Sequence, residues 1–266
     1  MSTINSLQQL LTPIVAAAPV GTRVGVYAEH LETGEIAAFD PDGVFKAAST
    51  IKIAIMAAVA RAVDAGSLTL DQKVPVRQED IVPGSGVVRY MEANLPLTIS
   101  DLNYLMISIS DNTTSNMLID QVGIEAVQSV CTEFATEGTM LGRKLFGRGA
   151  EGKEVENIAT ARGLSVLLKN IATGKIASPE LTEWMKIALS NEQHKNRLPR
   201  ALGWDTEPWY GGKTGTITGT TNDCAVFAGP GGTIVSAIVS GDVPDIYIME
   251  PWMGDVGEVL INRVRQ

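Results

Sequence analysis

Three short groups of residues contain side chains suited to acyl transfer. They are Ser49-Thr50-Ile51-Lys52, Ser110-Asp111-Asn112 and Lys213-Thr214-Gly215, and each occurs once in the chain. A serine hydroxyl becomes a strong nucleophile when a neighbouring base accepts its proton, and a neutral lysine amine is such a base. The three groups therefore predict a hydrolase that forms a covalent intermediate.

The first group is the most informative. Lys52 lies within the apolar run 47–55, where desolvation favours the neutral amine. Positions i and i+3 share one helix face, so Lys52 is expected to reach Ser49. At a helix start, the Ser49 N–H and the helix dipole would stabilise an oxyanion. The alternative is an N-cap serine followed by a surface lysine.

The other two groups are weaker when each is taken alone. Ser110-Asp111-Asn112 falls between two predicted helices, where a helix cap is the simpler interpretation. Lys213-Thr214-Gly215 follows Gly211-Gly212 on a predicted strand, and glycines beside a strand allow close approach of a ligand or a backbone. An edge strand there would offer the Thr216 N–H as a second oxyanion donor.

Composition and charge indicate a globular protein and limit the partners that we expect it to bind. The 266 residues are 45% hydrophobic, which is typical of a folded globular chain. Lys and Arg total 21 against 30 Asp and Glu, a net charge of −9, and this disfavours nucleic-acid and anionic-membrane partners. Cys131 and Cys224 are far apart, and the two histidines, His30 and His194, form no cluster with them. We therefore expect two buried free thiols, no disulfide, no metal and no cofactor.

Hydrophobic periodicity divides the chain into strands at both ends and helices between them. An opening helix with Leu7, Leu10 and Leu11 on one face precedes strands 23–29 and 35–40, which flank the turn Thr33-Gly34. The remaining predicted elements are helices 51–65, 99–109, 113–122, 123–135 and 159–173, strands 212–216, 223–228 and 233–241, and a last helix from about 252 to 265.

This order predicts an α/β (α+β) fold. Its antiparallel sheet is flanked by terminal helices and carries an inserted helical lobe, with a ligand cleft between the lobes. We expect one domain over residues 1–266, with an α/β lobe formed by 1–44 and 205–266 and a helical lobe formed by 45–204.

The N-terminus resembles a cleavable signal only superficially. The first 22 residues carry no charged side chain, so the basic segment that begins a signal peptide is missing. Pro13 and Pro19 also interrupt the apolar run. We expect a cytoplasmic protein, with a periplasmic or secreted one as the alternative.

Together, the three groups resemble the motif set of the penicillin-recognising active-site serine enzymes, and specifically the class A β-lactamase branch. The resemblance extends to 24–28 and 32–34, which look like the family's first hairpin, to 107–116 and to 157–160. It implies that Ser49 is the acylated nucleophile, Lys52 the proton acceptor and Ser110 the proton donor to the leaving nitrogen. Asn112, Lys213, Thr214 and Gly215 would bind substrate, and the N–H groups of Ser49 and Thr216 would form the oxyanion hole.

Two positions depart from the family pattern. The glutamate that activates the deacylating water in class A enzymes is replaced by Leu145 or Phe146, neither of which is a base. Weak candidates for the role of this glutamate are Glu151, Glu154 and Glu156. They lie in a stretch of mixed charge that is typical of a solvated loop. The arginine that many members place on the strand after Lys-Thr-Gly is replaced by Asn222. Arg197 or Arg200, just before the last strands, could reach the same region, although both are more typical of surface charges, as is Arg263.

We predict a serine hydrolase that forms an acyl-enzyme on Ser49, with β-lactam amide hydrolysis implied by the resemblance. One alternative is an esterase, an amidase or a DD-peptidase-like penicillin-binding enzyme that deacylates β-lactams slowly. A second is a binding module of the same fold without catalysis. The expected substrate is a small β-lactam, ester or peptide, and we expect a monomer.

Overall fold

Five antiparallel strands form the central sheet, in the order β2-β1-β9-β8-β7. The computed structural model describes residues 6–92, 94–135, 137–203 and 207–266. The sheet strands are β1 (Arg23–His30), β2 (Ile36–Phe39), β7 (Trp209–Ile217), β8 (Thr220–Gly229) and β9 (Gly232–Gly241). The sheet is therefore built from both ends of the sequence, as predicted, and β7 lies at one edge.

Short strand pairs and helices make up the rest of the described chain. The short strands are β3 (Phe45–Lys46), paired with β6 (Ile158–Ala159), and β4 (Lys73–Pro75), paired with β5 (Pro96–Thr98). The helices are α1 (Leu7–Ala16), α2 (Lys52–Asp64), α3 (Ile99–Ser108), α4 (Asn112–Val122), α5 (Ile124–Phe134), α6 (Ala161–Ala172), α7 (Pro179–Ser190) and α8 (Ile246–Arg265). None of the described helices combines the length and apolar character needed to cross a membrane.

Two hydrophobic clusters cover opposite faces of the sheet. Side chains alternate between the faces of a strand, so Val26 and Ala28 belong to the cluster under α1 and α8, whereas Tyr27 belongs to the cluster with the other helices. The same alternation separates Phe227 from Val226 on β8. Burial on both faces explains why these strands are apolar throughout.

Helix α2 lies in the middle of the larger cluster. Every residue from Lys52 to Ala60 is buried, and a helix that is apolar all round is normally enclosed by others. A short 3-10 helix, Ala48–Ile51, leads directly into α2. The apolar run around Lys52 thus has the burial that its composition predicts.

The structure differs from the predicted elements at two helices. Helix α7 was not predicted individually; it begins with Pro179 in its first turn. The last helix begins at Ile246 rather than near 252, because Asp245 caps it and Pro251 lies inside it. The predicted lobe boundary between 204 and 205 lies outside the described residues, and the division into lobes stays a prediction.

Candidate active site

Ser49 lies at a backbone turn between the sheet and α2. It is half-buried, within the 3-10 helix Ala48–Ile51, and it lines a cleft together with Asn112 and Thr216. It does not act as an N-cap, since neither the 3-10 helix nor α2 has a side-chain cap. Among the described residues, its hydroxyl has no hydrogen-bond partner, so the oxygen is available to a substrate.

Two residues of the site have a left-handed backbone. Ala48, immediately before Ser49, has a φ of 48°, and Ser110 has a φ of 58°. A residue other than glycine adopts this conformation only when its surroundings impose it, and such positions cluster at functional sites.

Lys52 is the centre of a buried hydrogen-bond network. Its Nζ lies 2.7 Å from the Ser110 carbonyl oxygen, 3.0 Å from Ser110 Oγ and 2.9 Å from Asn112 Oδ1. The described bonds of the amine thus go to Ser110 and Asn112 rather than to Ser49, which lies three residues before it. The sequence predicted a contact between Lys52 and Ser49, whereas the hydrogen bonds in the structure join Lys52 to the second motif.

The environment of Lys52 favours a neutral amine. Burial, followed by the positive charge of Lys213, holds the pKa of Lys52 well below its usual value, while Asp111 and Glu192 act in the opposite direction. A neutral amine has a lone pair that can accept a proton. The alternative of a surface lysine is therefore wrong.

The second motif combines a structural and a chemical role. Asp111 is the N-cap of α4 and accepts from Thr114 N at 3.1 Å. Its other oxygen accepts from Val87 N at 2.7 Å and Val88 N at 3.0 Å, which fixes the loop beside the cleft. The helix-cap interpretation is right for Asp111, and this cap holds Ser110 and Asn112 against Lys52.

The third motif lies on β7, as predicted. Gly215 packs against the turn that carries Ser49: a Cβ there would lie 2.9 Å from Ser49 N and 3.0 Å from Thr50 N. Only glycine lets the strand approach the nucleophile so closely. Thr216, on the same strand, lines the cleft.

The outer edge of β7 supplies a backbone donor to this cleft. Thr214 N donates outward, to Glu192 Oε2 at 3.2 Å. Backbone groups of an antiparallel strand point alternately toward and away from the neighbouring strand. The Thr216 N–H therefore points to the same outer edge, which is the geometry that an oxyanion donor requires.

Glu192 was not found from the sequence. Its carboxylate is fully buried just beyond α7, and Oε2 lies 2.8 Å from Lys213 Nζ. Oε1 accepts from His194 N at 3.0 Å and lies 2.8 Å from His194 Nδ1. Lys213 is thus paired with a carboxylate of the chain itself. Local spacing contains no signal for this pair, because the two residues are 21 positions apart.

Arg197 reaches the site and Arg200 does not. Arg197 Nη2 donates to Thr216 Oγ1 at 2.6 Å, and Nη1 donates to the Asn222 carbonyl at 2.7 Å. Arg197 is only 5% exposed, so its interpretation as a surface charge is wrong. Arg200 is exposed and pairs with Asp255. Asn222 is buried and ties β8 to the Lys46 and Ala47 carbonyls.

The segment after β-bridge residue Met140 forms another wall of the cleft. Leu145 and Phe146 line it, and Asn116 clamps the Leu145 backbone by accepting from its N–H at 2.8 Å and donating to its carbonyl at 2.9 Å. This wall of the cleft is therefore apolar at both positions, and the correspondence of Leu145 or Phe146 with the family's glutamate stays a prediction.

Among the three candidate glutamates, Glu156 alone lines this cleft. Its Oε1 accepts from Arg143 at 3.1 Å and its Oε2 from Ala150 N at 2.8 Å, so both oxygens are already engaged. Glu151 is exposed, and Glu154 pairs with Arg148, whose hydrogen bonds lower the pKa of Glu154 to about 2. The solvated-loop interpretation holds for Glu151 and is wrong for Glu156.

The cysteines and Arg263, which the sequence analysis also considered, lie outside the cleft. Cys131 and Cys224 are buried free thiols, as predicted. Arg263 forms a partly buried pair with Glu35 at 2.7 Å, so it is more than a surface charge. No group of three or more potential metal ligands occurs within the described part of the chain.

Comparisons with known proteins agree with this geometry. The family model described as "Beta-lactamase enzyme family" matches residues 5–264. A β-lactamase of Rhodobacter capsulatus is 28% identical over 257 residues, which cover 93% of this chain and 85% of that protein. The β-lactamase structure from Sphaerobacter thermophilus has a TM-score of 0.91 at 36% identity and 96% coverage of both chains.

A third match is the acyl-enzyme complex of a Leu→Glu mutant of PBP-A with penicillin G. Its TM-score is 0.82 at 27% identity, with 96% of this chain and 95% of that chain covered. The fold, the family model and these neighbours agree, and the chain belongs to the β-lactamase enzyme family, as a hydrolase of the class A type.

Proposed function

We propose that Ser49 is the acylated nucleophile of this serine hydrolase and that Lys52 is its general base. The observation that carries the proposal is the buried Lys52 amine, which is bonded to Ser110 and Asn112 beside a cleft lined by Ser49. A neutral Lys52 accepts the Ser49 proton as Oγ attacks the substrate carbonyl.

The remaining groups complete the reaction. The oxyanion is stabilised by the N–H groups of Ser49 and Thr216. The proton on Lys52 then passes through Ser110 Oγ, 3.0 Å away, to the leaving nitrogen as the C–N bond breaks. The lysine is neutral again at the end of acylation, and the acyl group is bound to Ser49.

β-Lactams are the proposed acyl donors. Several similar proteins are named β-lactamases, and a β-lactam carries both a reactive amide and a carboxylate. Arg197, whose Nη2 donates to Thr216 Oγ1 at 2.6 Å and lies 3.3 Å from Glu250 Oε1, supplies a positive charge at the edge of β7. A carboxylate bound there would place the lactam carbonyl near Ser49.

We propose that deacylation is slow compared with acylation. Hydrolysis of an acyl-enzyme needs a base that activates water, and Leu145 and Phe146 occupy the wall where class A enzymes place it. Both oxygens of Glu156 are bound by other groups. A Leu→Glu mutant of PBP-A, a structural neighbour, is known as its penicillin G acyl-enzyme complex, which supports an acyl-enzyme intermediate in this fold.

Intact-mass spectrometry tests both parts of the proposal. The protein is mixed with penicillin G, and turnover of a chromogenic cephalosporin is followed in parallel. We expect a lasting adduct of one penicillin and slow turnover, with no adduct in Ser49→Ala. An adduct in Ser49→Ala would remove Ser49 as the nucleophile, and fast turnover without an adduct would contradict slow deacylation.

A further inference from the structure

Glu192 has a role in the reaction that no motif assigns to it. We propose that Glu192 is a positioning residue of the acylation site, which fixes the Lys213 ammonium at the edge of β7 and balances its charge next to Lys52. The inference rests on the proposed acylation of Ser49, and it concerns how the base of that reaction is tuned.

The geometry of Glu192 is that of a fully engaged buried carboxylate. Oε2 lies 2.8 Å from Lys213 Nζ and 3.2 Å from Thr214 N, and Oε1 accepts from His194 at two atoms. Both Glu192 and Lys213 are 0% exposed. Bonds from four atoms of three residues leave the carboxylate no freedom to rotate, so the position of the Lys213 amine is set as well.

Lys213 uses two of its three N–H groups in this arrangement. One points to Glu192 and another to the Thr214 carbonyl at 3.0 Å. The third has no acceptor among the described residues. Without Glu192, the ammonium would be free to move along the edge of β7 or toward another carboxylate.

The charge of Glu192 also reaches the general base. The positive charge of Lys213 lowers the pKa of Lys52, and the negative charge of Glu192 raises it. Burial alone raises the pKa of Glu192, but Lys213 and the hydrogen bonds from His194 outweigh it and lower that pKa to about 2. Glu192 therefore stays ionised and offsets Lys213 across the working pH range.

Other titratable groups face the same buried region. Tyr210 on β7 and Asp223 and Cys224 on β8 all have pKa values raised in part by Glu192, after burial. His194 lies in the loop that carries Glu192, and Asp111 approaches Lys52 from α4. Removal of the Glu192 charge nevertheless shifts the pKa of every neighbouring group in the same direction, because loss of a negative charge lowers their proton affinity.

The pH dependence of acylation provides the test. The acidic limb of the acylation rate reports loss of the neutral Lys52 amine. Glu192→Gln preserves the shape of the side chain and removes its charge. We expect the acidic limb measured with penicillin G to move to lower pH, because loss of a nearby negative charge lowers the proton affinity of Lys52.

Two further variants separate positioning from support of the fold. Glu192→Asp keeps the charge, so the acidic limb should return to its wild-type pH even if the maximum rate is lower. Glu183→Gln, an exposed carboxylate on α7, should leave the profile unchanged. A lower rate in Glu192→Gln with an unmoved acidic limb would mean that Glu192 only supports the fold, and would overturn the proposal.

A measurement without substrate keeps this proposal distinct from the proposed function. The ¹³Cε resonance of Lys52 is followed against pH in ¹³C-lysine-labelled protein and assigned with Lys52→Met. Its titration midpoint should be lower in Glu192→Gln. If no acyl donor labels wild-type protein, the acylation proposal fails while this midpoint still decides the role of Glu192; an unchanged midpoint would refute it.

Discussion

The amine of Lys52 lies 3.0 Å from the hydroxyl of Ser110, although the two residues are 58 positions apart in the sequence. When Lys52 is neutral, Ser110 Oγ can donate its proton to the amine lone pair. After Lys52 has taken the Ser49 proton, the direction reverses and the ammonium donates to Ser110. This contact connects proton removal from the nucleophile with proton delivery to the leaving group.

Removal of the Lys52 amine should slow acylation without abolishing it. We expect Lys52→Ala to lower the acylation rate by about 10² to 10⁴, the usual effect of losing a general base. Stopped-flow mixing with penicillin G, quenched for intact mass, measures this rate. Lys169→Ala, on α6, is the control for loss of a lysine away from the cleft. A Lys52→Ala rate equal to that of wild type would remove Lys52 as the base.

Arg197 should distinguish substrates by charge. We expect Arg197→Ala to lower acylation by a carboxylate-bearing β-lactam about 10- to 100-fold, the range for loss of a charged hydrogen bond. The methyl ester of the same β-lactam lacks the charge and should be affected much less. The ratio of the two rates does not depend on how much protein is folded.

Arg200→Ala is the matched control for Arg197. Arg200 lies three residues further on, but its guanidinium is exposed and bonds to Asp255 at 2.8 Å. Its loss should leave the ratio of the two rates at the wild-type value. Equal losses for the acid and the ester in Arg197→Ala would show that Arg197 supports β7 and does not bind the carboxylate.

The sequence predicted those parts of the site that are local. Ser49 and Lys52 lie within one turn, so their spacing indicated that they act together, and the position of Asp111 between two predicted helices indicated a cap. The strand of Lys213 was also predicted, directly after Gly211-Gly212. These predictions needed only helix and strand periodicity.

Contacts between distant segments could not be predicted in this way. Glu192 and Arg197 lie in irregular chain after α7, where side-chain direction follows no period. Their contacts depend on where α7 ends relative to the edge of β7. The sequence identified Asn222 only as the residue that replaces the family's arginine, whereas the structure shows that its amide donates to the Lys46 carbonyl. Burial of such polar groups is a property of packing, which local patterns do not encode.

A carboxylate at Leu145 should accelerate deacylation. Asn116 fixes the Leu145 backbone from both sides, so Leu145→Glu would place a base on the wall of the cleft that contains Ser49. We expect the lifetime of the penicillin adduct to fall by about 10² or more, with faster turnover of a chromogenic cephalosporin. Phe146→Glu is the control, because position 146 is not the one that Asn116 clamps. If the adduct lifetime is unchanged in a folded Leu145→Glu protein, the absence of a base at this wall is not the cause of slow deacylation.

Asp223 should make stability depend on pH in the direction opposite to an ordinary paired carboxylate. Burial raises the pKa of Asp223 to about 7 against the opposing charge of Arg197, and its Oδ1 has no hydrogen-bond partner among the described residues. Between about pH 4 and 7 the folded protein therefore binds more protons here than the unfolded chain, so stability falls as pH rises.

Asp223→Asn removes this ionisation and keeps an oxygen for Leu198 N, which donates to Asp223 Oδ2 at 3.0 Å in the wild type. The free energy of unfolding of Asp223→Asn, measured in urea, should therefore rise relative to wild type between pH 4 and 7. The slope is on the order of 1 kcal/mol per pH unit for one proton. Comparing the two proteins at each pH cancels the contributions of all other titratable groups. A constant difference across this range would mean that Asp223 ionises at the same pH in the folded and unfolded chains, and that Arg197 compensates its burial completely.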